Sequence, residues 1–216
     1  MSKRVTFSNI EGELAEPAGD AKAPAIVLIQ EWWGVNDHVR SLVDRFAKDG
    51  FLVVAPDLYH GKTTKDAGEA GKWMNELDTM QAVKEIGAAV AYLKEHPRSN
   101  GKVGVTGFCL GGALTLASAC HVPGLSAAVS FYGIPPGDKV DYKKATIPVQ
   151  MHVAKKDNWV TPEKAEEVKK QLKNVELHLY DADHAFVNDT RPEVYDAEAA
   201  KVAWGRAVAF FKKHLG

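Results

Sequence analysis

The sequence predicts an α/β fold: three layers, built on a doubly wound, mostly parallel sheet. Three observations carry this. Short apolar runs rich in β-branched residues alternate with amphipathic helical stretches along the chain, the pattern of repeated βαβ units. The runs at residues 24–29 and 51–55 are almost continuously apolar, as strands covered on both faces must be. Several reactive side chains fall just past such runs, where open parallel sheets bind their ligands.

The elements follow in order. Residues 1–22 read as an edge hairpin: Val5, Thr6 and Phe7 alternate, and Glu11-Gly12-Glu13-Leu14 turns the chain back before Pro17. Residues 24–29 form a buried strand. Residues 38–49 put Val39, Leu42, Val43, Phe46 and Ala47 on one helical face, and Gly50 stops them. Residues 51–55 are a second buried strand, ended by Pro56-Asp57. The polar stretch 59–72 is expected to be the longest loop. Residues 73–95 are expected to form one long helix, with Met80, Val83, Ile86, Val90 and Leu93 on its buried stripe. Residues 103–105 are a strand, and a helix runs from Ala113 to Cys120. Residues 125–133 and 147–154 are strands, separated by a loop at Pro135-Pro136-Gly137-Asp138. Pro162 opens a helix to about Leu172, and residues 175–180 are the last strand. A helix from about Glu193 to His214 closes the chain, with Trp204, Val208 and Phe211 inward. With no repeat, linker or low-complexity segment, residues 1–216 are expected to be one domain without a large lid.

Composition removes several classes of function. The net charge is −1, so there is no electrostatic footprint for nucleic acid. No run approaches the roughly 20 apolar residues that span a membrane, and the first residues hold no apolar core of signal-peptide length. The two cysteines, Cys109 and Cys120, lie on one turn-and-helix unit, too far apart to bridge. The expectation is a reducing, cytoplasmic setting and, with no obvious apolar face, a monomer.

Gly107-Phe108-Cys109-Leu110-Gly111-Gly112 lies between a strand and a helix, the layout of a nucleophile elbow. Glycines on both sides let strand and helix pass closely, and the positive end of the helix dipole favours a thiolate at Cys109. The same turn alone is equally compatible with a buried structural thiol. Other strand ends add Glu31, Asp157 and His184. Cys109, Asp157 and His184 run in the order nucleophile, acid, histidine, the chain order of the α/β-hydrolases. A thiol needs an imidazole to take its proton, and the imidazole needs a carboxylate to fix its tautomer. The oxyanion needs two amides: those of Leu110 and Trp32 are the candidates. Glu31 is a charge directly after a buried strand, costly unless used or paired.

Together Gln30-Glu31-Trp32-Trp33-Gly34, Ala55-Pro56-Asp57-Leu58-Tyr59, the Cys109 turn, Phe131-Tyr132-Gly133 and Asp183-His184-Ala185-Phe186 resemble the dienelactone hydrolase family, the cysteine-nucleophile branch of the α/β-hydrolases. The resemblance covers nearly the whole chain. It implies Cys109 as nucleophile, His184 as base and Asp157 as orienting acid. It also implies that Glu31 contacts the resting thiol and helps generate the thiolate when substrate arrives, and that Tyr132 lines the substrate pocket. The implied reaction opens the lactone carboxymethylenebutenolide to maleylacetate, with no metal and no cofactor; the implied partner is a small-molecule ester or lactone.

The chain departs from this family in one respect. The resemblance implies arginines that hold the substrate carboxylate, one in the loop after the Pro-Asp-Leu-Tyr segment and one shortly after the histidine. Here the loop has Lys62, Lys65 and Lys72, the position four past His184 is Asn188, and Arg191 comes later. A lysine is a point charge rather than a bidentate fork. The flat aromatic rim of Trp32, Trp33 and Trp159 would suit a different, less polar ester or lactone. Rival readings are a general carboxylesterase, thioesterase or acyltransferase on the same residues, and a redox-sensing thiol protein without catalysis.

Overall fold

The computed structural model describes residues 1–137 and 140–216. One eight-stranded sheet runs in the order β1-β2-β4-β3-β5-β6-β7-β8. The ribbon β1 (Lys3–Phe7) and β2 (Ile10–Ala15) is antiparallel and borders β4 (Leu52–Pro56). From β4 onward all neighbours are parallel: β3 (Ala23–Ile29), β5 (Ser99–Phe108), β6 (Leu125–Phe131), β7 (Val149–Ala154) and β8 (Val175–Tyr180).

Why the central strands read as continuously apolar is visible in β3. Ala25, Val27 and Ile29 join the core on one face, and Ile26 and Leu28 join the core on the other. Helices α3 (Thr79–Glu95), α4 (Leu110–His121) and α5 (Pro162–Gln171) cover the first face; α1 (Asp37–Lys48) and α6 (Ala197–Leu215) cover the second.

The region after β4 departs from expectation. Residues 67–76 are not loop but helix α2 (Ala67–Glu76), capped by Asp66, and Asp78 caps a separate α3 by accepting from the amides of Met80 and Gln81. Met80 therefore sits in the first turn of α3, half exposed rather than buried. The last helix starts later than expected, because the Asp196 carboxylate caps it by accepting from the Ala199 amide. Phe211 is fully buried there; Trp204 is half-buried against Phe46 and donates its indole N–H to Asp49. The hairpin turns at Ser8-Asn9, both at positive φ, earlier than the Glu11-Leu14 stretch. The loop expected at Pro135–Asp138 ends in a residue outside those described.

Under α6 lies a polar chain inside the apolar layer. Gln150 Nε2 donates to Glu176 (2.8 Å), which turns the Gln150 carbonyl oxygen toward His152 Nε2 (2.8 Å). His152 Nδ1 then accepts from the Tyr180 hydroxyl (2.8 Å), which receives Arg206 (3.1 Å). Both ring nitrogens are used and His152 is neutral. Burial holds it well below its ordinary pKa, helped by His178 and Arg206. Burial also lowers His38 and His178.

The sign of the linkage follows. Each folded pKa lies below the unfolded value, so stability is complete above about pH 6.5 and falls as pH drops through and below it. Glu31 and, above about pH 6.5, His184 are shifted the opposite way and offset part of this. The urea midpoint should therefore fall between about pH 6.5 and pH 5, where the three histidines outweigh Glu31. An unchanged midpoint over that interval would contradict the assignment.

Candidate active site

The elbow is set by backbone geometry. Cys109, between β5 and α4, has φ +55° and ψ −114°, a conformation side chains rarely adopt. Its amide donates to Phe131 O (3.0 Å), and its carbonyl accepts from Ala113 N (3.1 Å). The glycines are there because backbone meets backbone. A Cβ on Gly107 would strike the Gly111 carbonyl, one on Gly111 the carbonyls of Ile29 and Gln30, and one on Gly133 the Cys109 carbonyl. Gly111→Ala should cost at least about 2 kcal/mol and move Cys109. Urea denaturation read beside thiol alkylation would show both effects, and a wild-type midpoint would refute the close approach.

Asp157 lies in the loop after β7 and is 4% exposed. Its Oδ1 accepts from the amides of Trp159 (2.8 Å) and Val160 (3.0 Å). Its Oδ2 accepts from Nδ1 of His184 (2.6 Å), four residues past β8. Burial raises the Asp157 pKa, but the His184 bond and the two amides outweigh it, so the carboxyl titrates below its usual range. For His184, burial acts to lower the pKa; the bond to Asp157 and the nearness of the Cys109 thiol outweigh it and raise the pKa to about 10. The buried Nε2 makes no hydrogen bond of standard geometry and lies near the Cys109 sulfur.

Glu31, past the end of β3, is 2% exposed. Burial raises its pKa to about 7, against the opposing pull of His184, Asn188 and Arg191. Its Oε2 accepts from Asn188 Nδ2 at 2.7 Å. It makes no hydrogen bond to Cys109 among the described residues, unlike the resting contact the resemblance implies. The amides of Leu110 and Trp32 donate to nothing among the described residues, as oxyanion donors must be free to do.

These groups meet in a cleft of about 340 Å³, whose walls include Glu31, Trp32, Trp33, Cys109, Asp157, Trp159, His184 and Arg191. The indoles form an edge-to-face chain: Trp33 to Trp32 at 4.9 Å, Trp32 to Trp159 at 5.7 Å, Trp159 to the His184 ring at 5.1 Å.

Three sequence candidates sit elsewhere or differently. Tyr132 is wholly buried at φ +39°, its ring 5.2 Å from His184, so it floors the histidine rather than lining the cleft. Lys72 points off α2 toward Glu76 (3.9 Å), outside the cleft. Lys62 lies over Trp73 in a separate cleft. Arg191 does line the main cleft, 5.9 Å from the Trp33 ring, with its Nε donating to Glu193. Two residues carried no signal as site groups. Tyr59 has a buried, unbonded hydroxyl, and its pKa is raised by burial and then by Cys109; only its place in the Pro-Asp-Leu-Tyr segment hinted at it. Thr190 anchors Asn188. Among the described residues no three His, Cys, Asp or Glu side chains are grouped to hold a metal ion, and no helix is long and apolar enough to cross a membrane.

Comparison with known proteins gives one consistent picture. The model of the dienelactone hydrolase family matches residues 10–215. Protein usf of Aquifex pyrophilus is 38% identical, with 100% of both chains covered. Carboxymethylenebutenolidase 1 of Cupriavidus pinatubonensis is 30% identical over 90% of this chain and 88% of its own. A solved structure from Klebsiella pneumoniae superposes with a TM-score of 0.90 at 28% identity, covering 98% of each chain.

Proposed function

The chain belongs to the dienelactone hydrolase family and is a hydrolase of esters or lactones; from that premise we propose that Cys109, His184 and Asp157 carry the reaction through an acyl-enzyme. The Cys109 sulfur attacks the carbonyl carbon. The developing oxyanion is held by the amides of Leu110 and Trp32. The His184 imidazolium gives its Nε2 proton to the departing alkoxide, and the C–O bond breaks. His184, neutral again, takes a proton from water; the hydroxide attacks the thioester and the acid leaves Cys109. Glu31 completes the surroundings of the sulfur. The observation carrying this reading is the 2.6 Å bond from His184 Nδ1 to Asp157, which fixes the tautomer and leaves Nε2 for the sulfur.

The substrate in this reading is a compact, flat ester or lactone of the carboxymethylenebutenolide type, laid against Trp32, Trp33 and Trp159. Arg191 meets its carboxylate, being the guanidinium of the cleft wall. Every group named comes from one chain, so a monomer suffices, and the free thiol suits a reducing, cytoplasmic setting. A neutral-ester carboxylesterase is the second reading, favoured by Asn188 standing where the resemblance implies an arginine.

The test is a panel of lactones and aryl esters, with and without a carboxylate. Hydrolysis with a burst of phenol and acyl mass on Cys109 is expected; no turnover of any member would sink the proposal. Arg191→Ala should lower kcat/KM about tenfold or more for a carboxylate-bearing aryl ester and leave the neutral analogue within about twofold. Equal losses for both would remove Arg191 as the carboxylate partner.

A further inference from the structure

Glu31 is a buried carboxylate whose hydrogen-bond partner is neutral. The amide that holds it, Asn188, is 1% exposed. Its orientation is fixed from behind: Asn188 Oδ1 accepts from both the amide (3.1 Å) and the hydroxyl (2.6 Å) of Thr190. With its oxygen committed to Thr190, Asn188 presents its NH₂ to Glu31 and cannot flip without losing its bonds to the Thr190 amide and to Glu31. Asn188 N in turn bonds Ala185 O (2.9 Å), next to His184. The charged and titratable groups facing Glu31 are His184 and Arg191, with the Tyr132 hydroxyl beneath.

We propose that Asn188, braced by Thr190, is a positioning residue that holds the Glu31 carboxylate away from the Cys109 thiol before any substrate arrives. The sulfur is thereby left to His184 in the resting enzyme. A carboxylate free to turn would accept a hydrogen bond from the thiol and keep it neutral. One held by Asn188 does not, so thiol activation needs no charged group on the substrate. The proposal deepens the ester-hydrolase reading and rests on it for the consequence in turnover. The position of Glu31 is read separately, by alkylation, which needs no substrate.

The experiment measures the rate of Cys109 alkylation by iodoacetamide in the substrate-free enzyme, beside kcat and KM for a neutral aryl acetate. Asn188→Leu keeps the volume and removes the donor; it should slow alkylation about tenfold or more and lower kcat with KM little changed. Thr190→Val should act in the same direction, less strongly. In a Glu31→Gln background, Asn188→Leu should add less than about a twofold change, because it acts only through Glu31. A merely structural Asn188 would give additive losses in that cycle. Additive losses, or wild-type alkylation in a folded Asn188→Leu protein, would overturn the proposal. Should Asn188→Leu not fold, wild-type alkylation in Thr190→Val overturns it equally. Altered alkylation in the absence of any ester turnover would leave this proposal standing and sink the hydrolase mechanism instead.

Discussion

Cys109→Ala should abolish ester hydrolysis, with kcat/KM falling by about ten-thousandfold or more. The effect is this large because the proposed acyl-enzyme route has no substitute for the Cys109 sulfur. The other cysteine, Cys120, is on the far end of α4, and burial first of all raises its pKa to about 11. It is a poor thiolate in the wrong place. The hydroxyl of Tyr59 is buried with its pKa pushed far up, so it is no nucleophile either. Alanine keeps the Cβ and the elbow's bonds to Phe131 and Ala113, so the variant should fold and melt like the parent. Steady-state assay with an aryl ester, beside circular dichroism, decides the matter. Full activity in a folded Cys109→Ala protein would defeat the mechanism.

Asp157→Asn should cost between about a hundredfold and ten-thousandfold in kcat with the fold intact. The argument rests on which way the new amide must face. Two backbone N–H groups, of Trp159 and Val160, converge on Oδ1. The asparagine carbonyl has to stay there, because an NH₂ against two donors is excluded. Its NH₂ therefore faces His184 Nδ1, which must become an acceptor. The ring proton moves to Nε2, and the imidazole can no longer take a proton from the thiol. The loss should appear in kcat at neutral pH, together with slower alkylation of Cys109. A variant that keeps kcat within about threefold would show that Asp157 does not set the tautomer.

The sequence made the strands legible, and with them the site. β3 and β4 lie close to their expected places because a strand buried on both faces has no polar positions to confuse the pattern. Cys109, Asp157 and His184 were legible for the same reason: once strand ends are known, the residues after them are fixed on one edge of the sheet. The helix break at Leu77 was hidden, since periodicity does not register a capping carboxylate such as Asp78. Tyr132 was expected in the pocket, but its positive φ turns the ring beneath His184, and no pattern of apolar residues encodes that turn. Lys72 failed as a candidate because α2, read as a loop, carries it outward. Asn188 could be noted only as a departure. Its bond to Glu31 spans 157 positions and exists only in three dimensions.

The histidine of this site follows the last strand of the sheet, and the acid follows the strand beside it. β8 pairs only with β7 and is partly exposed along most of its length. Beyond the strands the pairing continues: Lys155 N bonds Tyr180 O (2.8 Å) and Lys156 N bonds Ala182 O (3.1 Å), zipping the Asp157 loop to the His184 loop. A sub-global opening that peels β8 from the edge therefore withdraws His184 from Asp157 while β3 and β5 keep their pairing. Amide hydrogen exchange should be faster across residues 175–184 than in β3 or β5. On warming, turnover should fade at a lower temperature than the far-ultraviolet helical signal, making the enzyme's working ceiling a property of its edge rather than of its core.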